Sequence, residues 1–391
     1  MPRSLLPLLV ALLAMFFTQQ LLVPTLSPLS LDLGLTATQL GLVITIASVA
    51  VTLASPLWGW ALDAIGLRRA LLAGLCLAMA GFAGFAATVT FGLDETLTPD
   101  LTFTSVLVFR SALLGAGLAV LPVAALAVAG TFTVAEGDRT RAVGLVGAAQ
   151  GLSALIGPPV GGVLAAVSLM LPLSVAPVLA LLVTIFVLVA VKPVERPQQV
   201  VQTQPWAMLP AFGVGFLMFL SFGLSQVVVT LLAKQQLMYS TSSLAVSAVV
   251  AASALGLVVT QGVVVPLLKW PAGRLMRTGA PIAVAGYAVL AVSQSLWLVA
   301  AAYLVVAVGL GLAVTGFAAA ASLGVGPRHQ GLVAGLVCAT NGLAFIIGPM
   351  LSGLLYDVAP VAPVIAAGAA AALACVLALP QLTPRVPQSV A

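Results

Sequence analysis

Charge is the scarcest property of this sequence. Only 6% of its 391 residues are charged, against 62% hydrophobic, and the mean hydropathy is +1.24. A soluble domain carries roughly 25% charged residues to cover its surface, so a soluble globular protein and a disordered chain are both excluded. Cysteine is nearly absent as well. Cys76, Cys338 and Cys375 each lie inside an apolar run and none stands in a C-x-x-C pair, which excludes a disulfide scaffold and a zinc framework. The single histidine, His329, sits beside Arg328 in a polar turn and reads as a solvated loop residue. No G-x-x-x-x-G-K-[ST] loop, no H-E-x-x-H and no nucleophile–base cluster occurs. ATP-driven pumping and catalysis within this chain therefore have no candidate residues, and neither a cofactor nor a metal is expected.

What the sequence has in quantity is long runs of Ala, Leu, Val and Gly. A helix needs about 20 apolar residues to cross a ~30 Å hydrocarbon core, whereas barrel strands would alternate over ~10-residue segments. The runs predict twelve transmembrane helices at about 5–29, 38–61, 68–91, 102–130, 141–167, 172–191, 206–233, 243–268, 279–296, 297–325, 331–356 and 360–381. The stretch 279–325 is nearly continuous and divides around Ser293–Trp297. The first residues place a basic residue before an apolar run, as a signal peptide does. However, Met15-Phe-Phe-Thr-Gln-Gln offers no small-x-small cleavage site, so the segment is read as a retained first span. The expected fold class is an all-α polytopic membrane protein.

The few charges are sorted by side. With a cytoplasmic N-terminus, all of the 14 Lys and Arg residues except Arg110 and Lys234 fall at cytoplasmic ends of spans, as the positive-inside rule requires. Asp32, Asp94, Glu95, Asp100 and Asp357 fall at the opposite ends. This sorting places both termini in the cytoplasm and accounts for a pI near 9.5 without nucleic acid. The longest polar, Pro-bearing stretch, Lys192 to Pro205, has six predicted spans on either side. The chain thus divides into an N-terminal six-helix bundle (1–191), a cytoplasmic linker (192–205) and a C-terminal six-helix bundle (206–391). A repeat supports the division: Gln150-Gly-Leu-Ser-Ala-Leu-Ile-Gly-Pro-Pro-Val-Gly-Gly162 returns 191 residues later as Asn341-Gly-Leu-Ala-Phe-Ile-Ile-Gly-Pro-Met-Leu-Ser-Gly353. Parallel six-span repeats are the architecture of many secondary transporters.

Residues that could carry chemistry are few. The turn after the second span reads Gly59-x-x-x-Asp63-x-x-Gly66-x-Arg68-Arg69. Its glycines suit a tight helix–turn–helix, and Asp63 can pair with the arginines or with the positive N-terminus of a neighbouring helix. Such a pairing is a candidate latch for one conformation. Arg110 is the one charge well inside a span, about eight residues into the fourth. It suits a cavity role, although its long stem would also let it snorkel to the headgroups. The side-chain amides are Gln19, Gln20, Gln150, Gln226, Gln261 and Asn341. Gln150 and Asn341 occupy equivalent repeat positions and should face one cavity. Phe219, Phe222 and Gln226 share a face of the seventh span by their spacing, and Phe345 in the second repeat copy completes the cavity candidates. Individually, these rings and amides also suit helix packing.

On these motifs the chain resembles the major facilitator superfamily, and within it the twelve-span drug:proton antiporter group. The resemblance covers nearly the whole chain and implies two pseudo-symmetric six-helix bundles. Residues 59–69 resemble motif A, which implies a cytoplasmic latch of Gly59, Asp63, Gly66, Arg68 and Arg69. Residues 151–162 resemble motif C, the antiporter signature, on Gly157, Pro158, Gly161 and Gly162, with Ser153 where that signature begins with glycine. Phe109-Arg110-Ser-Ala-Leu-Leu-Gly115-Ala-Gly117 is loosely similar to motif B, whose arginine is linked to proton transfer. One departure matters most. No Asp or Glu lies inside a predicted span, and arginine cannot cycle its proton at physiological pH. If protons are coupled, Asp32 and Asp63 are the remaining proton-site candidates.

The resulting expectation is a secondary exporter of small amphipathic compounds, drugs or toxic metabolites, working by alternating access. The resemblance implies the proton as coupling ion, a monomer, and the inner membrane of a bacterium. The alternative is a uniporter or exchanger for a specific metabolite or organic anion, with Arg110 as counter-charge.

Overall fold

The computed structural model describes residues 5–133, 135–191, 205–236, 242–293 and 295–379. Of the linker expected at 192–205, residues 192–204 lie outside the described residues, as do Arg3, Arg385 and the side chain of Lys234. Among the described residues every regular element is helical and no strand occurs.

Among the described residues, ten helices are long and apolar enough to cross a membrane. They are α1 (Leu5–Asp32), α2 (Ala37–Ile65), α3 (Leu67–Leu93), α4 (Pro99–Phe132), α5 (Glu136–Val167), α6 (Met170–Ala190), α7 (Pro205–Gln236), α8 (242–268), α10 (Leu296–Leu323) and α11 (Gln330–Val358). Two further helices, α9 (Ala272–Ala291) and α12 (Ala362–Leu377), complete the twelve expected positions. The ninth span begins earlier than the sequence predicts, at 272 rather than 279. Pro271 sets the N-cap with φ −63°, and Arg274 and Arg277 lie on the first turns of the helix instead of in a loop. Arg274 is held over the Trp270 ring at 4.0 Å from its centroid. The division from α10 falls at Val292 to Ser295, where the Ser295 hydroxyl accepts a hydrogen bond from Leu298 N–H at 3.3 Å.

Local chemistry fixes the other boundaries. Thr36 and Gln39 form a reciprocal capping box at the start of α2. Gly66, at φ +89°, makes the one-residue turn from α2 to α3, a backbone region that favours glycine. The first helix breaks at Leu22, two residues before Pro24, whose ring nitrogen has no hydrogen to donate. Two π-helical segments interrupt transmembrane helices, Leu107–Leu113 in α4 and Thr260–Val264 in α8.

Contacts group the chain into two compact units, Met1–Ala129 with Ala148–Arg196 and Gly331–Ile346, and Gly130–Gly147 with Pro197–Gln330 and Ile347–Ala391. Two long helices are shared out by this grouping. The opening turns of α5 pack with helices from the second half of the sequence, and most of the first half of α11 packs with helices from the first half.

In the first unit, α3 and α4 cross on glycine. A Cβ on Gly81 would stand 2.7 Å from the Leu114 backbone nitrogen, and Gly117 lies directly on Ala78. The second unit repeats the device between α9 and α10. A Cβ on Gly279 would stand 2.5 Å from Gly309 O, and one on Gly286 2.7 Å from Val306 Cγ2. Lipid tails are as apolar as leucine, so close packing through small residues replaces the hydrophobic effect in holding such helices together.

Candidate functional site

The turn between α2 and α3 has a partner far along the sequence. The Asp63 carboxylate accepts hydrogen bonds from Gly331 N–H at 3.2 Å and Leu332 N–H at 2.8 Å. These are free amides of the first turn of α11, where the helix dipole is positive. Of the partners open to Asp63, the helix N-terminus is thus a real one. Gly59 does not belong to the turn, which Gly66 makes alone. It lies on the helix face one turn before Asp63, directly against Gly331 O, so that the two backbones meet without side chains between them. Arg68 donates from Nη2 to Leu188 O on α6 at 3.0 Å, and Arg69 is exposed.

The antiporter-like segment of α5 packs on α1. Gly157 faces Gln20 Cβ, and Gly161 faces Leu21 O, beside the break in α1 at Leu22. The Ser153 hydroxyl donates to Leu13 O at 2.9 Å and to Ala149 O at 2.8 Å, so the residue that departs from the signature bonds the same two helices. Pro158 and Pro159 lie within the continuous helix. Gly162 differs from its neighbours, since a Cβ there would meet open space. The equivalent contact recurs in the second unit, where Gly348, 191 residues after Gly157, packs on Gly223 of α7.

Arg110 sits in the middle of the π-helical segment of α4. Its neighbour Ser111 donates to Val43 O of α2 at 2.7 Å, and Phe109 packs on Gly84 of α3. The Arg110 Nε is buried and has no hydrogen-bond partner among the described residues. Single-turn π segments are frequent at functional sites.

The cavity candidates divide by burial. Gln19, Gln20, Gln150, Phe219, Asn341 and Phe345 are half-buried, and Gln226 is exposed. Phe222 is buried, its ring stacked on Tyr303 with centroids 5.4 Å apart and planes within 6°. That places Phe222 in helix packing inside the second unit. The candidate acid Asp32 is exposed at the end of α1.

Two features are not legible in the sequence. Gln261, one of the amides named above, lies in a second π segment, buried, with its amide against Gly147 and its own carbonyl 2.7 Å from the Cβ position of Gly144. A π segment leaves no compositional mark, so no signal pointed to it. The other is Glu136, which accepts a hydrogen bond from Ala272 N–H at 2.8 Å. A charged pair spaced i, i+3 (Glu136 and Arg139) at the head of a span was the available clue.

This arrangement defines a transporter fold, and the sequence agrees. The chain belongs to the Major Facilitator Superfamily, whose family profile matches it twice, over residues 8–212 and 211–391. It is a multi-pass membrane transporter of that superfamily. No curated protein shows significant sequence similarity to it. Solved structures share the fold at low identity. The human organic anion transporter MFSD10 (TETRAN) is 17% identical, with 96% of this chain and 99% of that one covered and a TM-score of 0.79. A bacterial homologue of the iron transporter ferroportin, in an outward-facing state with soaked iron, is 14% identical over 96% and 98%, with a TM-score of 0.78. The transporter FucP in an outward conformation is 15% identical over 97% and 98%, with a TM-score of 0.73.

Proposed function

We propose that this protein is a secondary active transporter that moves small amphipathic organic anions across the membrane by alternating access, with Arg110 as the counter-charge. The observation that carries this reading is the buried, unpartnered Arg110 Nε in a π-helical turn of a transmembrane helix. A guanidinium presents a rigid fork matched to carboxylate or phosphate, and burial makes an anion there worth far more than at a surface. Half-buried Phe345, with the amides of Gln20, Gln150 and Asn341, would supply the apolar and weakly polar remainder of the site.

Asp63 serves in this scheme as the latch of one state. Its bonds to the head of α11 join the first half of the sequence to the second and must break for the two to separate. The positive-inside sorting supports cytoplasmic termini, and the double family match supports two six-helix halves joined through 192–205. Location in an inner membrane and a monomeric state are parts of the same reading.

A second reading is proton-coupled efflux of amphipathic drugs. The packing of Gly157 and Gly161 on α1 favours it, because those residues resemble the antiporter signature. Its proton would have to be carried by Asp32 or Asp63.

The test is transport into proteoliposomes of a fluorescent organic anion and of a cationic dye, with and without an imposed proton gradient. Anion transport that disappears in Arg110→Gln supports the first reading. Gradient-dependent dye transport that is indifferent to Arg110→Gln selects the second.

A further inference from the structure

The opening turns of α5 reach three helix ends of the second half of the sequence. Glu136 Oε1 accepts from Ala272 N–H at 2.8 Å, at the head of α9. The Thr140 hydroxyl donates to Trp270 O at 3.1 Å, in the turn before it. Gly137 leaves no room beside Lys269, the end of α8, where a Cβ would stand 2.8 Å from the carbonyl oxygen. Arg139 points to the tail of α10: Nη1 donates to Ser322 O at 3.0 Å, while Nη2 and Nε donate to Thr133 O at 2.7 Å and Thr133 Oγ1 at 3.2 Å. The same Ser322 carbonyl accepts from Gln330 Nε2 at 2.8 Å. An anion therefore meets the positive head of one helix, and a cation three residues later meets the negative tail of the next.

This cluster occupies the place that the repeat assigns to the Asp63 contact. Gly144 and Gly335, 191 residues apart, each rest on a carbonyl, of Gln261 and of Ser55, which are 206 apart. The same 206-residue step carries Asp63 to Lys269. In the first copy the anion stands on α2 and caps α11. In the second copy the corresponding residue is a lysine, which has no acceptor for an N–H group. There the anion comes from the other partner, Glu136 of α5, and caps α9 instead.

We propose that Glu136 and Arg139 form a second latch, independent of Asp63, so that the state seen here is held by two helix-end contacts with exchanged polarity. The proposal rests on the alternating-access reading and adds to it that opening on the basic side requires both contacts to break. Each contact ties a helix of one sequence half to helices of the other, and the two share no residue.

The native thiol of Cys338 offers the test. It lies on α11, eight residues beyond Gln330, and is half-buried. In a Cys76→Ser, Cys375→Ser background, the rate of its labelling by a membrane-impermeant maleimide from the basic side reports opening without any substrate. Glu136→Ala is expected to raise that rate between about two- and thirty-fold, the range that loss of a helix cap of ~0.5–2 kcal/mol gives, and Asp63→Asn, which keeps an acceptor oxygen and loses only the charge, should raise it by less in the same direction. The double variant should approach the product of the two. Glu136→Gln keeps an acceptor oxygen but no charge, should fold where Ala does not, and should give a smaller rise in the same direction. Faster amide exchange over 270–275 would confirm that the cap is lost. If Glu136→Ala and Glu136→Gln label at the parental rate while Asp63→Asn labels faster, the second latch is refuted and the first stands. If none of the three changes, both latches fail. A merely structural cap would lower thermal stability, leave Cys338 labelling unchanged, and so also overturn the proposal.

Discussion

Asp63 Oδ2 accepts a hydrogen bond from the backbone N–H of Leu332 at 2.8 Å, across a separation of 269 residues. The carboxylate closes the head of a helix whose first amides have no partner of their own, and Gly59 and Gly331 let the two backbones come near enough for it to reach.

Replacing Asp63 with Asn keeps the shape and removes the charge. A charge at a helix N-terminus contributes about 0.3–1 kcal/mol when exposed and up to ~2 kcal/mol when partly buried. Turnover in proteoliposomes should fall by a factor of about 2 to 30, the range these energies span at 1.4 kcal/mol per tenfold, with membrane insertion unchanged. Wild-type turnover in this variant would remove the latch role.

The glycines of the antiporter-like segment should separate cleanly on substitution by alanine. Gly161→Ala drives a Cβ into Leu21 O and should cost about 1–3 kcal/mol. Gly162→Ala meets open space and should leave both thermal stability and transport near wild type. Equal effects of the two in a thermal-shift assay would contradict the packing described.

Arg110→Gln should abolish transport of an organic anion, and Arg110→Lys should retain it with weakened affinity, because lysine keeps the charge without the planar fork. Initial-rate kinetics distinguish the two: a raised KM for Lys and no measurable rate for Gln. Full activity in Arg110→Gln would show that the arginine only snorkels.

Tyr303 is fully buried and its hydroxyl has no hydrogen-bond partner among the described residues. Tyr303→Phe keeps the stack on Phe222 and removes an unsatisfied polar atom. Its expected effect on melting temperature is zero or a small rise, since an unmade buried hydrogen bond costs about 1–3 kcal/mol. A clear fall would mean that the hydroxyl has a role in the native state.

The sequence by itself determined the all-helical membrane class, the repeat and the turn at Gly66, because length, hydropathy and a left-handed glycine are local properties. It also located the break between α9 and α10, although the head of α9 lay seven residues earlier than its arginines suggested. Tertiary structure alone decided which helix each face meets. In a chain apolar on nearly every face, lipid and protein neighbours ask for the same side chains, so periodicity does not reveal partners. Gly59 thus read as part of a turn when its reason is Gly331, and Phe222 read as cavity lining when its ring lies on Tyr303. The π segments around Arg110 and Gln261, and the reach of Glu136 to Ala272, depend on how helix ends meet in space. No spacing along the chain encodes that meeting.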